Sequence, residues 1–230
     1  ILARLEAGGL SPSPQADRRT LIRRVYYALT GLPPSEDTVQ AFVHDPNPRA
    51  YDQLIDRLLA SPQYGEHWAR RWLDVARYSD TKGYVYSREE RFWTHAWAYR
   101  DWVIRALNRD MPYNRFLLLQ IAADQVNDCE PDDLAAMGFL TIGRRFLGVQ
   151  HDIIDDRIDV VCRGTMGLTV GCARCHDHKY DPIPTADYYS LYGIFSSCAE
   201  KLVALDPSSA DESFEKERRT RQNKLNEKLK

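Results

Sequence analysis

The stretch "PQYGEHWARRWLDVARY", residues 62–78, decides how the rest of the chain is read. Tyr64, Trp68, Trp72, Val75 and Ala76 recur there at helical spacing, so one apolar stripe runs along it. A second aromatic stretch, residues 93–107, sets Ala98, Trp102 and Ala106 in line. We read the two as central core helices, with the tryptophans as core side chains or as walls of an apolar pocket. Between them "SDTKGYVYSREE", residues 79–90, is polar and long enough to be a surface loop or part of a pocket rim.

Toward the N-terminus the same period returns in shorter runs. Asp17 is placed to cap a helix through "RRTLIRRVYYALT", which Gly31, Pro33 and Pro34 stop. Ser35 starts a helix through "EDTVQAFV", and Pro48 one through "RAYDQLIDRLLAS". Toward the C-terminus, helices are expected over residues 113–123 and 131–139. Another follows from Asp152, where Ile154, Ile158, Val161 and Thr165 share a face. Gly164 and Gly167 weaken that helix and let the chain turn. A last core helix begins at Thr185 or Asp187.

Apolar and polar residues nowhere alternate over five or more positions, so strands are not expected. The fold class is mostly α: an irregular multi-helix domain over residues 1–206, then a charged helical extension over 207–230 leading to further sequence.

With 230 residues, 43% hydrophobic and 28% charged, the composition is that of an ordinary globular chain. A formal net charge of -2 provides no field for holding a polyanion, so no nucleic-acid partner is expected. No run approaches the roughly 20 apolar residues that cross a bilayer, so this segment is expected to make no membrane insertion. Opening without a methionine and closing in a charged run, the chain reads as a processed product or an excerpt of a longer one. Five cysteines, unevenly spaced, do not suit a disulfide scaffold.

Two of those cysteines carry the chemistry. Within "VGCARCHDHKYDPIP", residues 170–184, Cys172, Cys175 and His176 form C-x-x-C-H. On a helix the three side chains project from one face within about a turn. That arrangement suits a covalent c-type haem, with Cys172 and Cys175 as thioether anchors and His176 as the proximal iron ligand. A zinc site would need a fourth ligand, which Cys162, Cys198 or His178 would have to supply singly. A redox dithiol would need a βαβ setting, and two buried structural cysteines beside a satisfied histidine would need nothing more.

On the opposite haem face His151 is the first distal candidate, with His67, His95, Met137 and Met166 behind it. His178 lies too close to His176 to reach that face. In "DHKYDP", Asp177 or Asp181 is placed to accept a hydrogen bond from an imidazole, His178 to shuttle protons and Lys179 to pair with a propionate. The competing reading is a polar loop held by its own turns and stiffened by Pro182 and Pro184. Asp155, Asp156 and Asp159 suggest either a hard cation or a solvated helix face paired with Arg157.

Several stretches together resemble the planctomycete-type cytochrome c domain family, known from large multidomain bacterial proteins. They are "RRTLIRRVYYALTGLPPS" (18–35), "YDQLIDRLLASPQYGEHWARRWLDVARYSDTKGY" (51–84), "YRDWVIRALNRDMPYNRF" (99–116), "DDRIDVV" (155–161) and "GLTVGCARCHDHKYDPIPTADYYSLYGIF" (167–195). The resemblance implies a covalent haem c on Cys172, Cys175 and His176. It also implies export to the periplasm or cell envelope, where such haem is attached, and neighbouring domains in the parent chain. Cys129, Cys162 and His151 lie outside its motifs.

The expected function is electron transfer within a larger exported redox protein. The electron partner would be a separate redox protein or a neighbouring haem domain of the same polypeptide. Two alternatives stay open: a haem enzyme with an open iron position, in which Asp177, His178 or Tyr180 acts on peroxide or an organic substrate, and a structural or interaction module with zinc or structural thiols.

Overall fold

The computed structural model describes residues 1–83, 91–143, 148–201, 203 and 212–228. Among them the chain is mostly helical, with eleven α-helices and no strand. It divides into two compact units, Ile1–Arg70 and Arg71–Lys230. The division falls inside one of the aromatic helices. Residues 84–90 of the expected surface loop at 79–90 lie outside the described residues, as do the ends of the charged extension.

The first unit opens with α1 (Leu2–Ala7), which buries nothing and which the sequence pattern did not reveal. In α2 (Arg18–Thr30) the Asp17 carboxylate caps the N-terminus, accepting from the Thr20 N–H at 2.9 Å and from its hydroxyl at 2.7 Å. These bonds hold the Asp17 carboxyl below the usual carboxylate range. Ser35 caps α3 (Glu36–His44) in the same way, while α4 (Ala50–Leu59) starts after Arg49 rather than at Pro48. Ile22, Val25, Phe42, Ala50, Leu54 and Leu58 from these three helices form one apolar core. Arg18 reaches from the start of α2 to the carbonyls of Phe42, Val43 and Asp45 at the end of α3, with its guanidinium over the Phe42 ring.

Gly31 ends α2 in the left-handed region, φ 69°, and a Cβ there would meet His67 Nδ1 at 2.4 Å. Conformation and close approach both demand glycine at this turn.

Helix α5 (Pro62–Val75) runs through the division between the units. Its buried positions are Gly65, Ala69 and Leu73, with Ala76 buried just past its end as expected; Trp68 and Val75 are partly exposed, so only part of the expected stripe faces inward. The helix closes with the Arg77 N–H on the Asp74 carbonyl and the Tyr78 N–H on the Leu73 carbonyl, the Schellman pattern. Arg77 itself takes the left-handed conformation, φ 58°, that glycine usually fills. This costs about 1 kcal/mol or more. The Arg77 guanidinium offsets it by pairing with Asp156 and donating to the Phe139 carbonyl at 3.3 Å and the Asp156 carbonyl at 3.2 Å. A Cβ at Gly143 would stand 2.2 Å from Asp156 Oδ2, so this pair needs glycine beside it.

The second unit continues with α6 (Ala96–Asn108) and α7 (Tyr113–Ala122). Residues 131–137 are a 3-10 helix rather than the expected α-helix, followed by the short α8 (Gly138–Thr141). Pro131 opens that segment, and Glu130 and Asp133 cap it reciprocally. On α6 the expected line Ala98, Trp102 and Ala106 is buried, Trp102 completely. Trp102 stacks on Phe116 with centroids 5.3 Å apart, and Trp72 stacks on Phe139 at 5.7 Å.

Gln120 and Asp133 satisfy the indole and phenol donors of Trp72, Tyr99 and Trp102 in this core. The side-chain carbonyl of Gln120, itself fully buried, accepts from Trp72 Nε1 at 2.6 Å and from the Tyr99 hydroxyl at 2.7 Å. Its amide donates to the Phe116 carbonyl at 3.1 Å. Asp133 accepts from Trp102 Nε1 at 2.9 Å. The last helices are α9 (Gln150–Met166), α10 (Thr185–Ser196) and α11 (Glu212–Lys228), the last being the charged extension.

Gln120→Leu would keep the volume but leave the buried Tyr99 hydroxyl without an acceptor, while Trp72 Nε1 would keep only the Tyr99 oxygen at 3.1 Å. The expected loss is about 1–3 kcal/mol, read as a lowered urea midpoint in tryptophan fluorescence. An unchanged midpoint would remove Gln120 from the account of this core.

Candidate functional site

Helix α9 ends where Gly167 turns left-handed, φ 70°, with its N–H on the Arg163 carbonyl at 3.1 Å. Of the two glycines expected to weaken the helix, Gly167 thus carries the break, while Gly164 stays helical, and a Cβ there would crowd Val75 at 3.0 Å and Phe139 at 3.4 Å.

The chain then anchors itself by burying Val170 and Ala173 and forms a single 3-10 turn over Gly171–Arg174. The Cys175 N–H closes it onto the Cys172 carbonyl at 3.3 Å, and the His176 N–H reaches the same carbonyl at 3.4 Å. The motif is thus carried by a 3-10 turn with Cys175 as its C-cap residue, not by an α-helix. In a 3-10 turn residues three apart eclipse, so Cys172 and Cys175 share one side, while His176 follows the turn. All three side chains are exposed.

The two residues between the cysteines fix the turn to the fold. Ala173 is fully buried. Arg174 Nη1 bonds Asp152 Oδ1 of α9 at 3.2 Å and lies 3.8 Å from Asp155 Oδ2, and the Arg174 carbonyl accepts from the Tyr189 hydroxyl of α10 at 3.0 Å. Next to Tyr189, the buried Tyr188 donates to Asp155 Oδ1 at 2.6 Å. Burial and the Asp155 carboxylate push the Tyr188 hydroxyl above its ordinary range. Sequence reading took these tyrosines only as helix, because nothing in their spacing says which carbonyl or carboxylate they will meet.

His176 Nδ1 lies 2.7 Å from the Asp177 backbone carbonyl. A carbonyl can only accept, so the proton sits on Nδ1 and Nε2 keeps its lone pair, the form in which imidazole ligates a metal. His178 is the opposite case. Its Nδ1 accepts from the Asp181 N–H at 2.9 Å and the Tyr180 N–H at 3.3 Å, and its own N–H donates to the Ile183 carbonyl at 2.9 Å. His178 thus holds the 177–184 loop closed, the arrangement of a self-held polar loop. Asp177 bonds the Thr185 N–H at 2.8 Å with its carboxylate and offers an imidazole only its backbone carbonyl. Lys179 stacks over the ring of the exposed Tyr180.

His151 lies in the first turn of α9, stacked on Tyr192 at 5.7 Å and hydrogen-bonded to its hydroxyl through Nδ1. Of the other distal candidates, His67 belongs to the first unit beside Gly31, and His95 is exposed just before α6. Met137 ends the 131–137 segment, and Met166 is exposed at the end of α9.

The aspartates of α9 neither form a solvated face nor pair with Arg157. Asp155 holds Tyr188, Asp156 pairs with Arg77, and Asp159 bonds Arg163 at 2.7 Å. Arg157 is buried and turns away to Glu200 and to the Leu140 carbonyl. Among the described residues no three His, Cys, Asp or Glu side chains are grouped to hold a metal ion. Cys162 is buried within the unit and Cys198 bonds its own helix, so neither joins the motif to complete a tetrahedral set. Burial pushes the Cys162 thiol up.

The residues fit a covalently attached haem. Two exposed thiols stand three apart on one anchored turn, and one imidazole carries its proton on the nitrogen away from a metal. The exposed Tyr189 lies against the turn, its hydroxyl on the Arg174 carbonyl.

On the reduced chain, Ellman's reagent should modify Cys172, Cys175 and Cys198 at once, Cys129 more slowly and Cys162 only on unfolding. Prompt reaction of Cys162, or protection of Cys172 and Cys175, would contradict this arrangement.

A phenol whose proton is held more tightly folded than unfolded contributes stability that is complete below about pH 10 and lost as the pH rises toward the folded value. Stability should therefore fall more steeply in alkali for the native chain than for Tyr188→Phe. Equal slopes in denaturant titrations from about pH 9 to 11 would exclude the Tyr188 contribution.

A family model described as PSCyt2, protein of unknown function (DUF1549), matches residues 1–200. No curated protein and no solved structure matches the chain.

Proposed function

The chain belongs to the PSCyt2 family, and on that premise we propose that its second unit is a c-type haem-binding domain that transfers single electrons within a larger exported redox protein. The observation that carries the reading is the pairing of two exposed cysteines on one 3-10 turn with a histidine whose Nδ1–H is tied to the Asp177 carbonyl. The sequence resemblance to planctomycete-type cytochrome c domains points the same way.

In this reading Cys172 and Cys175 hold the porphyrin edge through thioethers, and His176 ligates the iron through Nε2. When bound, the haem supplies a one-electron iron centre. The chain's part is to fix the two sulfurs on one side of the turn through Ala173 and Arg174. It also keeps His176 in a single tautomer, donating more strongly because its other nitrogen is hydrogen-bonded. The electron partner is a separate redox protein or another haem domain of the same polypeptide, in the periplasm or cell envelope. No helix among the described residues is long and apolar enough to cross a membrane, and the reading requires none.

The test is an absorption spectrum, oxidised and then dithionite-reduced, of chain exported by a host that attaches c-type haem, with a haem stain after denaturing electrophoresis. A sharp reduced α-band and stain that stays with the denatured chain are expected. The double variant Cys172→Ala, Cys175→Ala should lose the stain entirely. A colourless native chain from a competent host would overturn the proposal.

A further inference from the structure

Asp177 occupies two roles that no motif assigns. Its backbone carbonyl accepts the His176 Nδ1–H at 2.7 Å. Its carboxylate Oδ1 accepts the N–H of Thr185, the first residue of α10, at 2.8 Å. One residue thus links the ligand imidazole to the start of the helix whose Tyr188 and Tyr189 hold α9 and the cysteine turn.

The geometry points to Asp177 as a positioning residue for His176: its side chain fixes its own carbonyl where the imidazole must donate. This rests on the proposed haem function for its consequence, though not for its structural test. A carbonyl in an exposed loop is free to rotate with its peptide, and an imidazole free in water exchanges its proton between both nitrogens. Tethering Asp177 to Thr185 removes the first freedom, and the hydrogen bond removes the second. The loop is also held from the other side, where the His178 N–H bonds the Ile183 carbonyl and its ring bonds Tyr180 and Asp181. The peptide carrying the acceptor is therefore fixed at both flanks.

Hydrogen-bond acceptance, not charge, is what Asp177 supplies. Asn offers the same Oδ1 and should substitute, whereas Ala should not. Thr185 provides a second, independent way to cut the link. It stands at the first helical position, where proline is well tolerated, and Pro184 already has the extended backbone, φ -73° and ψ 155°, that a following proline requires. Thr185→Pro therefore removes the donor while preserving the helix start.

The experiment records two-bond proton–nitrogen correlations of the imidazoles in nitrogen-15-labelled, reduced chain without haem. They distinguish the Nδ1–H from the Nε2–H tautomer. His176 should be in the Nδ1–H form in the native chain and in Asp177→Asn. In Asp177→Ala and Thr185→Pro it should shift toward the Nε2–H form. Retention of the Nδ1–H form in both disrupting variants would overturn the inference, as would its loss in Asp177→Asn.

In haem-loaded chain the same pair should raise the midpoint potential, because a less donating imidazole stabilises the oxidised iron less, while Asp177→Asn follows the native value. A potential that does not move in either disrupting variant would also count against the role. Failure of haem to attach would refute the functional reading and leave the tautomer measurement standing as the judge of Asp177.

Discussion

The cysteine turn stays where it is because of the acidic edge of α9. Asp152, Asp155, Asp156 and Asp159 recur at spacings of three and four, so they lie along one side of the helix. Each is spent on a different neighbour: Arg174 of the turn, Tyr188 of α10, Arg77 beyond α5, and Arg163 one turn along α9 itself. The opposite side carries Ile154 and Ile158, both fully buried. A helix that buries one side and partners its carboxylates on the other acts as the frame for what surrounds it. Individually the half-exposed ion pairs are worth at most about 1 kcal/mol. Their effect is directional: they set where the turn points, while the burial of Ala173 and Tyr188 supplies most of the adhesion.

Much of the helical plan was legible because amphipathic period and capping residues are local properties. Asp17 and Ser35 cap where their side chains imply, and the Ala98, Trp102, Ala106 line is buried as its spacing implies. The errors are also physical. Residues 131–137 have helical composition, but Pro131 and the reciprocal Glu130 and Asp133 bonds tighten them into a 3-10 segment. On α5 the expected stripe holds only in part: Trp72 joins the core and Ala76 is buried, but Ala69, outside the stripe, also faces inward, while Trp68 remains partly exposed. Size and hydrophobicity alone misjudge which face lies closest to a neighbour.

At the site, the sequence singles out three candidate side chains by spacing and misses what holds their turn in place. Cys172, Cys175 and His176 are readable from spacing. The partners of Arg174, namely Asp152 and the Tyr189 hydroxyl, are not, since they meet only after α9 and α10 pack. The acidic cluster was misread for the same reason: its natural local partner, Arg157, is buried and committed to Glu200. His178 shows how one histidine two residues from another can differ in kind. One ring donates to a carbonyl and keeps a free lone pair, and the other has its lone pair filled by two backbone amides.

The spacer between the cysteines bears on whether the motif can be moved. Ala173 sits in a space that admits a methyl group, and Arg174 spans from the turn to α9 with its side chain while its carbonyl is held by α10. The two positions are therefore not interchangeable: inverting them would press a guanidinium into a closed space and leave the carboxylates of α9 facing a methyl. The pentapeptide is in this sense not a portable cassette. Grafting it onto another helical scaffold would carry over the reactive groups and lose their bearings, unless the carboxylate edge and the adjoining tyrosine pair travelled with it.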